Sequence, residues 1–312
     1  MTAPLHDHTP RFGVVATDLD GTLLRGDLSV SPRTRAALTR VSALGARHLI
    51  VTGRPAAGCR RLLEPLGYEG LAVCGQGAQL YDVGRDQLLS SATLDQPTVR
   101  ELLDYIVELT GPLELAVVTA GLHGEFLVTH GFADRVRNGW RLVEHHADLW
   151  TSPIEKVLIR SRCLDDDRLA ALAQRVCADR ISVTHSGEGM IELLPAGVNK
   201  ASGLAAAARR LGFTSADTIA FGDMPNDIPM LAWAAHGVAM GNAHAELRRH
   251  ADEIAPTNEE DGVAAVLDRL FPPAPAHPRS APPLTDHPES EPYPCPSLVA
   301  LERPEEPAPP VI

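Results

Sequence analysis

A chain of 312 residues that is 44% apolar can bury a sizeable core, and it is too long for one average domain. Aromatic residues make up only 4%, so that core must be built mainly from Leu, Val and Ala, and the net charge of −12 argues against a general nucleic-acid binder or docking on anionic lipid. Five cysteines with no paired or metal-type spacing, and no apolar run of transmembrane length, point to a soluble protein of a reducing, cytoplasmic compartment.

Residues 1–10 are polar, carry no signal-type apolar stretch, and read as a flexible N-terminus. The first element is an apolar run, Val14-Val15-Ala16-Thr17, that stops at Asp18-Leu19-Asp20-Gly21-Thr22. It reads as a buried parallel strand with two carboxylates at its carboxyl end, where open α/β sheets place ligands. Spaced two apart, Asp18 and Asp20 share one side of an extended segment. Two close carboxylates repel unless a cation joins them, and Mg²⁺ suits an all-oxygen site. Gly21 permits a sharp turn that the Thr22 hydroxyl would brace. A surface β-turn is the plainer alternative for this stretch taken alone.

Ser31 then Pro32 predict a helix start, and Gly45 a stop. His48 to Val51 is a second apolar strand ending in Thr52-Gly53-Arg54-Pro55. Thr52 is a helix cap or a donor to a phosphoryl oxygen, and its position at the same sheet edge as Asp18 favours the second reading. Arg54 is either a solvated loop residue or a second anion contact. A helix from Ala56 and a strand over 71–74 complete a βαβαβ run, which predicts a doubly wound parallel sheet of the Rossmann type.

From about Gly84 the texture changes, with strands expected at 113–119, 125–130, 155–160 and 180–184 and helices near 98–109 and 165–178. This predicts an α+β domain, residues 84–186, inserted into a core formed by 11–83 and 187–271. His130, His145, His146, Trp140 and Trp150 raise a metal or stacking reading, but ordinary surface or linker roles are the expectation. Arg135, Arg137 and His185 are candidates for substrate contacts.

Residues 190–195 read as a return to the core sheet. Lys200 then falls in the first turn of an Ala-rich helix, where a cation opposes the helix dipole unless it meets an anion. Residues 217–221 form another apolar strand, ending in Gly222-Asp223-Met224-Pro225-Asn226-Asp227. Asp223 would face the Asp18/Asp20 pair, and Asp227, one helical turn on, could orient it from behind. A last core strand (236–240) and a final helix ending near Phe271 follow. Fourteen of the 26 prolines lie between Pro272 and Ile312, a stretch expected to be a disordered tail.

Four clusters therefore line up in order: Asp18-Leu19-Asp20-Gly21-Thr22, Thr52-Gly53-Arg54-Pro55, Lys200, and Gly222-Asp223-Met224-Pro225-Asn226-Asp227. Over about residues 11–271 the chain resembles the haloacid dehalogenase superfamily of phosphohydrolases. Met240-Gly241-Asn242-Ala243 and Glu260-Asp261-Gly262-Val263 resemble its Cof-type branch, which carries a large α/β cap. Gly75-Gln76-Gly77-Ala78 departs from the Asn-Gly-Ala usual in that family, which affects a local contact, and Pro225 stands where a small residue is common.

The resemblance implies a Mg²⁺-dependent phosphatase of small phosphorylated metabolites, sugar phosphates foremost, working through an aspartyl-phosphate. Asp18 would be the nucleophile and Asp20 the acid and then base, which requires Asp20 to be raised by burial beside other carboxylates. Thr52 and Lys200 would hold the phosphoryl group, with Gly53, Arg54 and Asn226 beside them. Asp18, the Asp20 carbonyl and Asp223 would bind the metal, with Asp227 in support. A phosphomutase of the same superfamily and a non-catalytic metabolite-binding regulator are the alternatives. No nucleic-acid or membrane partner is expected, and both monomer and dimer stay open.

Overall fold

The computed structural model describes residues 11–132 and 139–272; the expectations for 1–10, for the tail beyond 272 and for Arg135 and Arg137 lie outside the described residues. In chain order the elements are β1 (Val14–Thr17), α1 (Pro32–Ala43), β2 (Arg47–Val51), α2 (Ala56–Leu63), β3 (Leu71–Cys74), β4 (Gln79–Asp82), β5 (Gln87–Ser91), α3 (Gln96–Thr110), β6 (Leu113–Thr119), β7 (Phe126–Val128), β8 (Trp140–Leu142), β9 (Ile154–Ser161), α4 (Asp166–Cys177), β10 (Ile181–His185) and β11 (Ile191–Pro195). There follow α5 (Lys200–Leu211), β12 (Thr218–Gly222), α6 (Ile228–Trp233), β13 (His236–Ala239), α7 (Ala245–Arg248), β14 (Glu253–Ile254) and α8 (Gly262–Leu270).

Eight strands form one sheet in the order β14-β13-β12-β1-β2-β3-β4-β5. From β14 to β3 every pair is parallel, which needs crossover helices and buries both faces. The alternation of side chains along β1 shows how. Val15 packs with residues of α1 and α8, while Val14 and Ala16 pack with residues of α5 and α6. Local chemistry sets the helix starts as the sequence predicts: the Ser31 hydroxyl accepts from the Thr34 amide and Pro32 follows at the first helical position. At α5 the Asn199 side chain accepts from the Ser202 amide, and the Ser202 hydroxyl caps in return.

Six strands form the second sheet, in the order β10-β11-β9-β6-β7-β8. Its pairs are antiparallel except β7–β8, which is parallel. Helices α3 and α4 cover one face, against Leu115, Val117, Val157, Ile159, Ile191 and Leu193. The alternate residues Ala116, Val118 and Leu158 face the other way, in a cluster with Phe132, Phe126, Trp140 and Met190.

Two expected boundaries shift. Residues 84–91 do not open the inserted domain: β5 pairs with β4 and extends the eight-stranded sheet through an antiparallel hairpin. Strand β11 does not return to that sheet but pairs with β9 and β10 in the second one. The chain therefore passes between the sheets over residues 92–95 and 196–199. Both passages touch the same short loop after β3. The Ala92 amide donates to the Ala78 carbonyl, and a Cβ on Gly77 would lie 2.1 Å from the Asn199 carbonyl oxygen. Only glycine fits Gly77, whose φ is +104°.

Candidate active site

Adjacent parallel strands β1 and β12 deliver Asp18 and Asp223 to one sheet edge, and α5, the helix leading into β12, delivers Lys200. The Lys200 ammonium, almost wholly buried, lies 2.9 Å from Asp18 Oδ1 and 2.5 Å from Asp227 Oδ1. This is the anion that a first-turn cation requires. Asp227 Oδ2 accepts from the backbone amides of Asp223 (3.0 Å) and Met224 (3.1 Å). Both oxygens of Asp227 are thus engaged in orienting Lys200 and the turn that carries Asp223. The Thr22 hydroxyl donates to Asp223 Oδ1 at 2.9 Å, so it links the first turn to the β12 turn rather than bracing its own. A Cβ on Gly21, where φ is +74°, would lie 2.3 Å from Asp223 Oδ2, so glycine is what lets the two turns meet.

Burial pushes the Asp18 carboxyl well above the usual range; Lys200 opposes this, while Asp227, Asp223 and Asp20 add to it. Asp223 is raised to about 7 by burial and then by Asp227, with the Thr22 hydrogen bond and Lys200 pulling the other way. Burial alone would lower Lys200, but Asp18 and Asp227 more than offset it and hold the ammonium above its ordinary value. Among the described residues, Asp18, Asp223 and Asp227 form a cluster with one oxygen each within 4.8 Å of the others. Asp18 and Asp223 each keep an oxygen that no donor among the described residues engages. Such a donor set fits a hard divalent cation, which would relieve the cost of ionising both acids.

The cleft above these groups has a volume of about 710 Å³ and is lined by Asp18, Asp20, Thr52, Gly53, Arg54 and Asn226, together with residues of the second sheet. Lys200, Asp223 and Asp227 stand behind that lining. Thr52 is buried, and its hydroxyl oxygen accepts from the Arg54 amide, which leaves the hydroxyl hydrogen to donate. The Asp20 side chain is 46% exposed and is held by the Arg54 fork at 2.6 and 2.5 Å, so the expected burial of Asp20 beside other carboxylates does not occur. His185 does not line the cleft; its Nε2 lies 3.0 Å from the Gly187 carbonyl.

Sequence reasoning missed a second polar group. Asn226 Nδ2 donates to Gln76 Oε1, Gln76 Nε2 donates to Glu192 Oε1, and the Ser186 hydroxyl donates to the same Glu192 oxygen. Lys156 Nζ reaches Glu192 Oε2 at 2.7 Å and the Gly53 carbonyl at 2.8 Å, tying the second sheet to the loop after β2. Lys156 and Glu192 are charged residues inside apolar strands, a pattern that signals a buried pair. Next to them Glu155 is fully buried with neither carboxyl oxygen partnered among the described residues, and a Cβ on Gly75 would lie 1.9 Å from its Oε1. Burial raises Glu155 to about 7, against the pull of Lys156 and with a push from Glu192.

The model of the haloacid dehalogenase-like hydrolases matches residues 15–267. Among curated proteins, the 5-amino-6-(5-phospho-D-ribitylamino)uracil phosphatase YcsE of Bacillus subtilis (strain 168) is 31% identical over 260 residues, covering 81% of this chain and 94% of its own. An HMP-PP phosphatase of Serratia proteamaculans (strain 568) is 31% identical over 252 residues, covering 76% of this chain and 86% of its own. Among solved structures, SMU.1108c from Streptococcus mutans UA159 superposes with a TM-score of 0.72 at 23% identity, over 83% of this chain and 99% of that one, which speaks to the fold alone.

Proposed function

As a member of the haloacid dehalogenase-like hydrolases the chain is a phosphatase of small phosphorylated metabolites, and we propose that it works in two steps through an aspartyl-phosphate on Asp18. The observation that carries this reading is the meeting of Asp18 and Lys200 at 2.9 Å on the floor of a cleft, with Asp223 beside them. In the first step an Asp18 oxygen attacks phosphorus and the bond to the leaving oxygen breaks; Asp20 can deliver the proton to that oxygen only after Arg54 turns from its carboxylate to the bound phosphate, because burial does not supply the protonated form. In the second, water attacks the phosphorus of the acyl phosphate, Asp20 takes its proton, and phosphate leaves with Asp18 restored.

The chain's own groups do the positioning on which phosphoryl transfer depends. The Lys200 ammonium and the Thr52 hydroxyl hold phosphoryl oxygens, and the Gly53 and Asn226 loops close around them. Arg54 holds the Asp20 carboxylate in the cleft and can share its remaining donors with the phosphate. Asp18, the Asp20 carbonyl and Asp223 would hold Mg²⁺, with Asp227 fixing the Asp223 turn. When bound, the ion supplies positive charge that lets a carboxylate approach a phosphate dianion.

The test is release of inorganic phosphate from a panel of phosphorylated metabolites. Wild type with Mg²⁺ should turn over at least part of the panel, and both chelation and Asp18→Asn should remove the activity. An inactive wild type, or an Asp18→Asn protein as active as wild type, refutes the mechanism.

A further inference from the structure

The wall of the cleft opposite the acids is aromatic, in a chain with few aromatics. Of six Phe and three Trp, three sit together on the cleft-facing side of the second sheet: Phe126, Phe132 and Trp140. Phe126 and Trp140 are direct partners in the β7–β8 pair, and their rings stack with centroids 4.4 Å apart and planes 5° from parallel. The Phe132 ring lies 5.8 Å from Trp140, and Met190 packs on the same cluster. Far from being an ordinary surface residue, Trp140 lines the cleft together with Phe126, Phe132 and Met190.

The polar groups of this wall are already spoken for. Lys156 is bonded to Glu192 and the Gly53 carbonyl, and Ser186 is bonded to Glu192. Arg160 is the exception: its guanidinium lies 5.5 Å above the Phe132 ring and makes no hydrogen bond or ion pair to any described residue. A leaving group that is only a polyol needs donors and acceptors to replace its water, and this wall has few to spare. A planar conjugated ring needs apolar area and ring faces, and one with a carbonyl or anionic oxygen also gives Arg160 an acceptor. The cleft volume of about 710 Å³ falls within the range of drug-sized ligands.

We infer that the substrate of this phosphatase carries a planar, conjugated ring bearing a carbonyl or anionic oxygen on its leaving group, received by the Phe126–Trp140–Phe132 wall and by Arg160. The inference rests on the phosphatase reading above and specifies its substrate class. Phosphate binds at the Asp18–Lys200 floor, and the ring lies against the second sheet.

Matched pairs test it, using the full chain with Mg²⁺. Riboflavin 5′-phosphate is compared with ribitol 5-phosphate, and uridine 5′-phosphate with ribose 5-phosphate; each pair differs by the ring. Acetyl phosphate, which has neither ring nor polyol, monitors the chemistry alone. In at least one pair kcat/KM should favour the ring by about tenfold or more, as base stacking on aromatic side chains is worth in other systems. That ratio should fall toward one in Trp140→Ala and in Arg160→Ala. Trp140→Leu keeps apolar bulk without the ring and should lower the ratio too, which guards against misfolding of the alanine variant. Hydrolysis of acetyl phosphate with no ring preference in either pair overturns the inference and leaves the phosphatase reading standing. A ring preference that survives all three substitutions also overturns it, since the wall would then be packing only. Failure to hydrolyse any of the five compounds counts against both.

Discussion

Replacing Glu155 by glutamine should change how the stability of the protein depends on pH. The carboxyl is fully buried, both its oxygens lack partners among the described residues, and its ordinary value of 4.5 is raised to about 7. Between those two values the folded state keeps a proton that the unfolded chain has released. Stability from this group is therefore complete below about pH 4.5 and is lost as pH rises to about 7. The loss amounts to about 3 kcal/mol, at about 1.4 kcal/mol per pH unit. For a body of this size that corresponds to about 6–12 °C in Tm. Thermal unfolding of wild type and Glu155→Gln would be followed by circular dichroism at about pH 5 and about pH 8. A chelator in every sample makes the contribution of Asp223, which is raised in the same direction, common to both proteins. The variant should gain on wild type by roughly that interval on going from the lower to the higher pH. Parallel curves for the two proteins would refute the reasoning, because they would mean that Glu155 finds a partner or water in solution.

Two further substitutions probe the acid cluster. Lys200→Met removes the cation between Asp18 and Asp227 while keeping its bulk, and should lower kcat about 10²–10³-fold as other lost charge-stabilising donors do; a fall of less than threefold would contradict the assigned role. Gly21→Ala would force a Cβ within 2.3 Å of Asp223 Oδ2 and impose a left-handed conformation that costs about 1–2 kcal/mol. It should weaken Mg²⁺ binding in calorimetric titration more than it lowers Tm, and unchanged affinity would speak against Asp223 as a ligand.

The core was legible because its signals are local. An apolar strand that stops at acids, a Ser-Pro helix start and an Ala-rich run each act within a few residues, and β1, α1 and α5 form where those signals lie. Membership of a sheet is decided by partners far away in the chain. Strand β11 is as apolar as a core strand, and nothing in residues 191–195 says that β9 and β10 take it. The β4–β5 hairpin was hidden for a similar reason, since its antiparallel pairing extends a sheet whose other connections are parallel crossovers. At the site, the pairing of Asp20 with Arg54 could not be read from either motif alone, because 34 positions separate them. Lys156 and Glu192 were visible as charges within apolar runs, but their contact joins strands 36 positions apart. The aromatic wall depended on the parallel β7–β8 register that stacks Trp140 on Phe126.

The loop at Gly77 and Ala78 has a mechanical meaning. Both stretches of chain that leave and re-enter the larger sheet bear on these two residues, one through an amide and the other through a carbonyl. If the six-stranded part swings as a rigid body, both of its chain connections turn at this loop, and the wall carrying Trp140 and Arg160 moves with it. A side chain added at Gly77 would press on the Asn199 carbonyl, at the cap of the helix that begins with Lys200.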